Sequence, residues 1–224
     1  MDIILIPGLW LTADAWSPVE PGLTSAGHRP VPLDLPNAPG RTLDDQLQVV
    51  EAAIDAATGP VFVVGHSAAS TLAWLAADRR PDRVAGVAMV GGMPVAQGAA
   101  YAPFFAAEDG VMEFPGWEPF AGPDSDDLTE QQKDEISDAA MPMPESVTHA
   151  PVNYTNEARK QVPVTLVCPE FSPEDAKAWF DAGEMPELVG VQLSYVNIDS
   201  GHWPMFSAPD ELAQILVQLA DQSV

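Results

Sequence analysis

Residues 61–69 of the chain read VFVVGHSAA, and this stretch decides the fold. Its first four residues are β-branched or aromatic, which predicts a strand covered on both faces of a sheet. The alanine-rich segment 68–80 predicts a helix. Ser67 lies between the two, with the small residues Gly65 and Ala69 on either side. This context predicts a tight strand-to-helix turn that presents the serine hydroxyl as a nucleophile. The alternative is a serine that only caps the helix.

Strand-like and helix-like segments alternate on both sides of this stretch. Short apolar runs predict five further strands, at 2–7, 29–35, 84–90, 162–168 and 191–198. Apolar residues at helical spacing predict further helices, at 12–26, 43–57, 173–182 and 209–222. Strands that alternate with helices of this length predict parallel βαβ units. We therefore predict an α/β fold, doubly wound around a mainly parallel six-stranded sheet with helices on both faces.

Residues 95–160, here called the insertion, break this alternation. They contain no convincing strand and carry 13 acidic against three basic residues. A segment this long inside a compact domain usually has helices of its own. The aromatic residues Phe104 and Phe105 argue against a disordered acidic loop. We predict an inserted helical cap at 95–160, with its best helix at 126–140, on a core formed by 1–94 and 161–224.

Composition restricts the classes of partner. The chain has 224 residues, 46% of them hydrophobic, and a formal net charge of −24 with only nine basic residues. Without a basic patch, neither nucleic acid nor an anionic membrane is an expected partner. A single cysteine, Cys168, allows no intrachain disulfide, and no apolar run is long enough to span a membrane. We expect a cytoplasmic monomer or homodimer that acts on a small molecule.

A serine nucleophile needs a base, and His202 is the best candidate among the four histidines. It follows the last predicted strand, at the sheet edge where α/β proteins place their sites. We expect His28 to lie on the surface. We expect His66, beside the serine, to pack or to hydrogen-bond locally, and the role of His149 stays open.

The loop after the first strand predicts the groups that stabilise an oxyanion. Gly8 allows a close backbone approach, which leaves the N–H of Leu9 free to donate. The N–H of Ala68, directly after the serine, is the second predicted donor. The chain has no dinucleotide fingerprint or phosphate loop, and its histidines lack metal-ligand spacing, so no cofactor and no metal are expected.

These segments resemble the α/β-hydrolases, and within them the plant methylesterase and hydroxynitrile lyase group with its bacterial esterase relatives. The resemblance rests on seven stretches: PGLW at 7–10, AGH at 26–28, DLP at 34–36, VGHS at 64–67, GMP at 92–94, VCPE at 167–170 and GH at 201–202. It implies six core strands, a cap between the fourth and the fifth, and catalytic residues in the order serine, acid, histidine.

The acid departs from the pattern of that group. The resemblance places an aspartate where this chain has Phe171, and the nearest carboxylate is Glu170, one residue earlier. We predict that Glu170 is the acid. Glu174 and Asp175, at the start of the next helix, are alternatives, and a site without any acid is another.

The type of reaction follows from a second departure. The lyases of this group carry threonine in the oxyanion loop and lysine directly after the histidine, whereas this chain has Gly8 and Trp203. We therefore predict a serine hydrolase that cleaves a small neutral, apolar or aromatic ester, thioester or lactone. Trp10, Trp203, Trp117 and Met141 are the predicted substrate-binding residues. The alternatives are a non-catalytic protein that binds a small ligand, and a non-hydrolytic lyase or cyclase on the same fold.

Overall fold

A computed structural model describes residues 1–223 of the chain. Its strands, in chain order, are β1 (Asp2–Ile6), β2 (Arg29–Pro32), β3 (Val61–His66), β4 (Val84–Val90), β5 (Val111–Met112), β6 (Met143–Pro144), β7 (Val164–Cys168) and β8 (Leu193–Asn197). Six of them form one sheet in the order β2-β1-β3-β4-β7-β8, and every neighbouring pair is parallel. The predicted six-stranded α/β fold is confirmed. The last residue of the predicted core, 224, lies outside the described residues.

Helices cover both faces of this sheet. The α-helices are α1 (Glu20–Ser25), α2 (Leu43–Ala56), α3 (Ala69–Arg79), α4 (Glu130–Ala139), α5 (Glu145–Thr148), α6 (Pro173–Asp181), α7 (Pro204–Ser207) and α8 (Pro209–Gln222). Alternate residues of a strand point to opposite faces. Ile4 of β1 therefore packs with α2 and α3, while Ile3 packs with α1 and α8. Trp74 and Trp16, each fully buried, anchor the two sides of the core.

Prolines shorten two of the predicted elements, because proline cannot donate a backbone hydrogen bond. The helix predicted at 12–26 is split into a 3-10 turn, Ala13–Trp16, and the short α1. Pro18 and Pro21 lie at the division. The strand predicted at 29–35 ends at Pro32, and it lies at the edge of the sheet, where proline is tolerated.

The insertion contains short elements rather than one long helix. The helix predicted at 126–140 begins at Glu130, because the side chains of Thr129 and Gln132 form a capping box at that point. Residues 122–128 form tight turns instead. The two-residue strands β5 and β6 pair antiparallel, and they are too short to produce an alternating pattern in the sequence. None of the helices within residues 1–223 is both long and apolar enough to cross a bilayer.

A buried ionic cluster fixes the place where the insertion returns to the sheet. The carboxylate of Asp78, at the end of α3, accepts hydrogen bonds from the backbone N–H groups of Thr155 and Asn156. The buried guanidinium of Arg159 donates to Asp78 at 3.4 Å and to Glu187 at 3.0 Å. A buried charge is stable only when it is paired in this way. The cluster therefore ties the last residues of the insertion to the core.

Candidate active site

The backbone at Ser67 is held in a conformation that few serines adopt. Its φ angle is +54°, at the junction of β3 and α3, and its N–H donates to the carbonyl of Val90 at 2.8 Å. Two glycines make room for this turn. A Cβ atom at Gly65 would collide with the backbone of Ala69, and one at Gly92 would collide with the carbonyl of Ser67. The predicted strand-turn-helix geometry is therefore present, with the hydroxyl at the carboxyl edge of the sheet.

Ser67, His202 and Glu170 form a continuous hydrogen-bonded chain. Nε2 of His202 lies 2.9 Å from Oγ of Ser67, and its Nδ1 lies 2.7 Å from Oε1 of Glu170. The side chains of His202 and Glu170 are 14% and 16% exposed, so water screens this contact only weakly. With Glu170 ionised, Nδ1 carries the proton and Nε2 is left to accept the proton of the serine hydroxyl.

The other carboxylates considered for the acid lie away from the imidazole. Asp175 forms a capping box with Ser172 at the start of α6, and Glu174 is exposed. Phe171 packs on Trp179 of the same helix, with ring centroids 5.0 Å apart. Glutamate is one methylene longer than aspartate, and this added length lets Glu170 reach the histidine from one position earlier in the chain.

The two predicted oxyanion donors are the backbone N–H groups of Leu9 and Ala68. Within residues 1–223, neither the N–H of Leu9 nor the N–H of Ala68 donates to a protein acceptor. Leu9 lines the same cavity as Ser67. Gly8 lets this loop lie against His66, because a Cβ atom at Gly8 would be 2.6 Å from Nδ1 of that ring. The loop that carries Leu9 therefore lies beside the turn that carries Ser67.

His66 is buried and contacts a residue far away in sequence. The ring packs in the interior, which was one of the two alternatives expected for it, and its Nε2 lies 2.8 Å from the backbone carbonyl of His202 rather than from a partner nearby in sequence. Burial and the neighbouring His202 lower the pKa of His66 to about 3. The ring is therefore neutral at physiological pH, and its Nε2–H donates to the carbonyl of His202. The sequence placed His66 beside the serine but carried no signal for this contact.

The cavity at Ser67 is small and mostly aromatic. Its volume is about 50 Å³, far below the volume of a typical drug-sized pocket. Trp10 and Trp203, two of the predicted substrate-binding residues, line it. The insertion adds three phenylalanines to the lining, Phe104, Phe105 and Phe120. The aromatic content of the insertion was the only indication that these side chains line a cavity.

Two other predicted substrate-binding residues do not line this cavity, which corrects the prediction. Trp117 packs behind Trp203, with ring centroids 5.0 Å apart, and its Nε1 donates to Oγ of Ser137 in α4. Met141 is 44% exposed. Only its backbone approaches the site, through an N–H that donates to the carbonyl of Trp10 at 2.8 Å.

Cys168 is not a competing nucleophile. It lies fully buried at the end of β7. Burial raises the pKa of its thiol to about 12, so the reactive thiolate is absent at neutral pH.

This fold and this site define an α/β-hydrolase. The chain belongs to the α/β hydrolase family, whose model matches residues 3–215. Membership of this family, with esterases among the structural neighbours, supports a hydrolase of esters in general terms. No curated protein sequence matches the chain.

Similar solved structures include enzymes from bacteria and plants. An extracellular α/β-hydrolase from a Paenibacillus species has a TM-score of 0.79 and 16% identity, and covers 98% of this chain and 99% of its own. A methylesterase from Arabidopsis has a TM-score of 0.78 and 16% identity over 99% of both chains. A pyrethroid hydrolase from Sphingobium faniae has a TM-score of 0.72 and 20% identity, and covers 99% of this chain and 97% of its own. These neighbours confirm the predicted resemblance to the plant methylesterase group. At such low identities, the structural likeness shows the fold alone.

Proposed function

We propose that the protein is a serine hydrolase that cleaves small neutral esters through an acyl-enzyme. The observation that carries this proposal is the hydrogen-bonded chain from Ser67 through His202 to Glu170, with distances of 2.9 and 2.7 Å. A histidine within hydrogen-bond reach of a serine, and itself oriented by a carboxylate, is the arrangement that activates a serine nucleophile.

The geometry supports a two-step mechanism. Oγ of Ser67 attacks the ester carbonyl while Nε2 of His202 takes its proton, and the carboxylate of Glu170 stabilises the imidazolium that forms. The N–H groups of Leu9 and Ala68 donate to the oxyanion of the tetrahedral intermediate. Collapse breaks the C–O bond, and His202 returns the proton to the leaving alcohol. Water, deprotonated by His202, then hydrolyses the acyl-serine and regenerates Ser67.

The cavity wall and the acidic insertion support a neutral, apolar or aromatic substrate. Trp10, Phe105, Phe120 and Trp203 surround the serine with apolar surface. The surrounding negative charge disfavours the entry of anions. We infer that residues 95–160 act as the cap over this cavity. Thioesters and lactones carry the same reacting carbonyl and remain within the proposed class.

Labelling by a fluorophosphonate tests the nucleophile. We expect mass spectrometry to find the label on Ser67, and the Ser67→Ala variant to remain unlabelled and to lose about 10⁶-fold in kcat on short-chain aryl esters. Ser17→Ala, a substitution at an exposed serine, serves as the control and should retain full activity. A Ser67→Ala variant with near wild-type turnover would exclude the mechanism.

An isotope experiment separates hydrolysis from the alternatives. In water enriched in ¹⁸O, a hydrolase places one heavy oxygen in the carboxylate product, whereas a lyase or cyclase places none. A wild-type protein that binds an ester analogue without labelling at Ser67 and without turnover would instead favour the ligand-binding alternative.

A further inference from the structure

The loop that carries His202 is held mainly by groups outside it. The N–H of His202 donates to the carbonyl of Asp124 at 2.8 Å, and the N–H of Gly201 donates to Oδ2 of Asp127 at 2.6 Å. Both acceptors belong to the insertion. On the core side, His66 donates to the carbonyl of His202. Two of these three contacts therefore come from the segment that also covers the cavity.

Gly201 gives an independent indication of how closely the two segments approach. This residue is buried, and a Cβ atom at its position would meet the carbonyl of Asp124 and lie 2.5 Å from Oδ1 of Asp127. No larger residue fits at position 201 while the insertion stays in place. The contact is thus a tight backbone fit as well as a pair of hydrogen bonds.

The segment that makes this contact has little freedom of its own. Ser125 is buried, its hydroxyl donates to the carbonyl of Phe120 at 2.7 Å, and its N–H donates to the carbonyl of Gly122. Leu128 is 5% exposed and belongs to the same apolar cluster as Trp203. Phe120 lines the cavity, so one short segment forms part of the cavity wall and also holds the histidine loop.

We propose that Asp127 is a positioning residue for His202, through which the insertion sets the orientation of the catalytic base. The proposal rests on the serine hydrolase function inferred above. The carboxylate of Asp127 fixes the N–H immediately before His202. The backbone that leads into His202 therefore keeps the imidazole within hydrogen-bond distance of Ser67 and Glu170.

The test compares two neighbouring aspartates. Asp127→Ala removes the acceptor of the Gly201 N–H. Asp126→Ala removes the same charge from the preceding residue, which is exposed like Asp127 but accepts no hydrogen bond from that loop. We expect Asp127→Ala to lower the rate constant of fluorophosphonate labelling at Ser67, and kcat for an ester, by about tenfold with little change in KM. The expected loss is smaller than the rate enhancement of about 10²–10⁴-fold that a general base typically supplies. Asp126→Ala should match the wild type, and Asp127→Asn, which keeps an acceptor oxygen, should recover most of the rate.

Two further readouts separate positioning from a general loss of structure. Partial unfolding would reduce the fraction of protein that labels but not the rate constant of the remainder. The proton NMR signal of the His202 Nδ1–H, which is shared with Glu170, reports on the histidine without any turnover. We expect Asp127→Ala to broaden or shift this signal and Asp126→Ala to leave it unchanged.

If both the signal and the labelling rate of Asp127→Ala equal those of Asp126→Ala, the proposal is wrong. If wild-type Ser67 fails to label, the hydrolase function fails, while the NMR comparison still decides the positioning role.

Discussion

At the scale of single residues, the imidazole of His202 contacts the carboxylate of Glu170, one residue before the position where the resemblance places an aspartate and this chain has Phe171. Glu170→Gln keeps the shape of the side chain but removes the charge that stabilises the imidazolium. We expect kcat to fall by about 10²–10⁴-fold, since a neutral partner at Nδ1 also favours the wrong tautomer. Glu174→Gln makes the same chemical change at an exposed site nearby and should have little effect. Steady-state kinetics on one ester measures kcat for both variants. Equal losses of kcat in the two would exclude Glu170 as the acid of the triad.

His66 makes stability depend on pH. In the unfolded chain it takes up a proton near pH 6.5, but in the folded protein only near pH 3. The unfolded state therefore binds more protons between these values. The contribution of His66 to stability is fully present above about pH 6.5 and is lost as the pH falls towards 3.

Urea denaturation at pH 7 and pH 5 measures this effect. One such group changes the free energy of unfolding by at most about 1.4 kcal/mol per pH unit. Between pH 7 and pH 5, the free energy of unfolding of the wild type should therefore fall by about 2 kcal/mol more than that of His66→Gln, which keeps a hydrogen-bond donor but does not titrate. His149→Gln, at an exposed histidine, should behave like the wild type. If the wild type and His66→Gln show the same pH dependence, His66 does not contribute in this way.

At the scale of elements, the end of β4 supports the turn after β3. Gly92→Ala would push a methyl group against the carbonyl of Ser67, in a turn where the φ angle of Ser67 is already +54°. We expect kcat/KM to fall by about 10²-fold, because a displacement of about 1 Å in a catalytic group costs that much. Gly59→Ala provides the control, since a Cβ atom there meets no atom within 4 Å. The prediction fails if both alanine variants retain wild-type kcat/KM and melting temperature.

The sequence predicted these elements well where local chemistry sets them. Residues 61–69 specified a strand, a turn and a helix within nine positions, and the closely spaced Thr42 and Asp45 form a capping box at the start of α2. Pro18 and Pro21 shorten α1, and the spacing of apolar residues alone does not predict this shortening. The contact between Gly201 and Asp127 joins residues 74 positions apart, and no local pattern encodes it. Likewise, the aromatic residues of the insertion were visible, but which of them face the cavity depends on tertiary packing.

At the scale of the whole molecule, the net charge of −24 acts on every substrate that approaches. The field should slow the association of anions and leave neutral molecules unaffected. For a matched pair of esters that differ only in a remote carboxylate, we expect the neutral ester to have the higher kcat/KM at low salt. Added salt should raise kcat/KM for the anionic ester and barely change it for the neutral one, because the screening length shortens to about 8 Å at 0.15 M. Equal values for the two esters at low ionic strength would show that the acidic residues do not govern entry.

The carboxylate beside His202 comes from one residue before the position where the resemblance places an aspartate, and this shift matters for how proteins of the family are found in genomes. A search pattern that demands aspartate at position 171 would reject this chain, although a carboxylate oxygen lies 2.7 Å from the imidazole. Chemistry constrains where the oxygen lies in space, and a longer side chain on the preceding residue satisfies that constraint equally well. Surveys that score the distance from a carboxylate oxygen to the histidine, rather than the residue type at one aligned position, would recover chains of this kind.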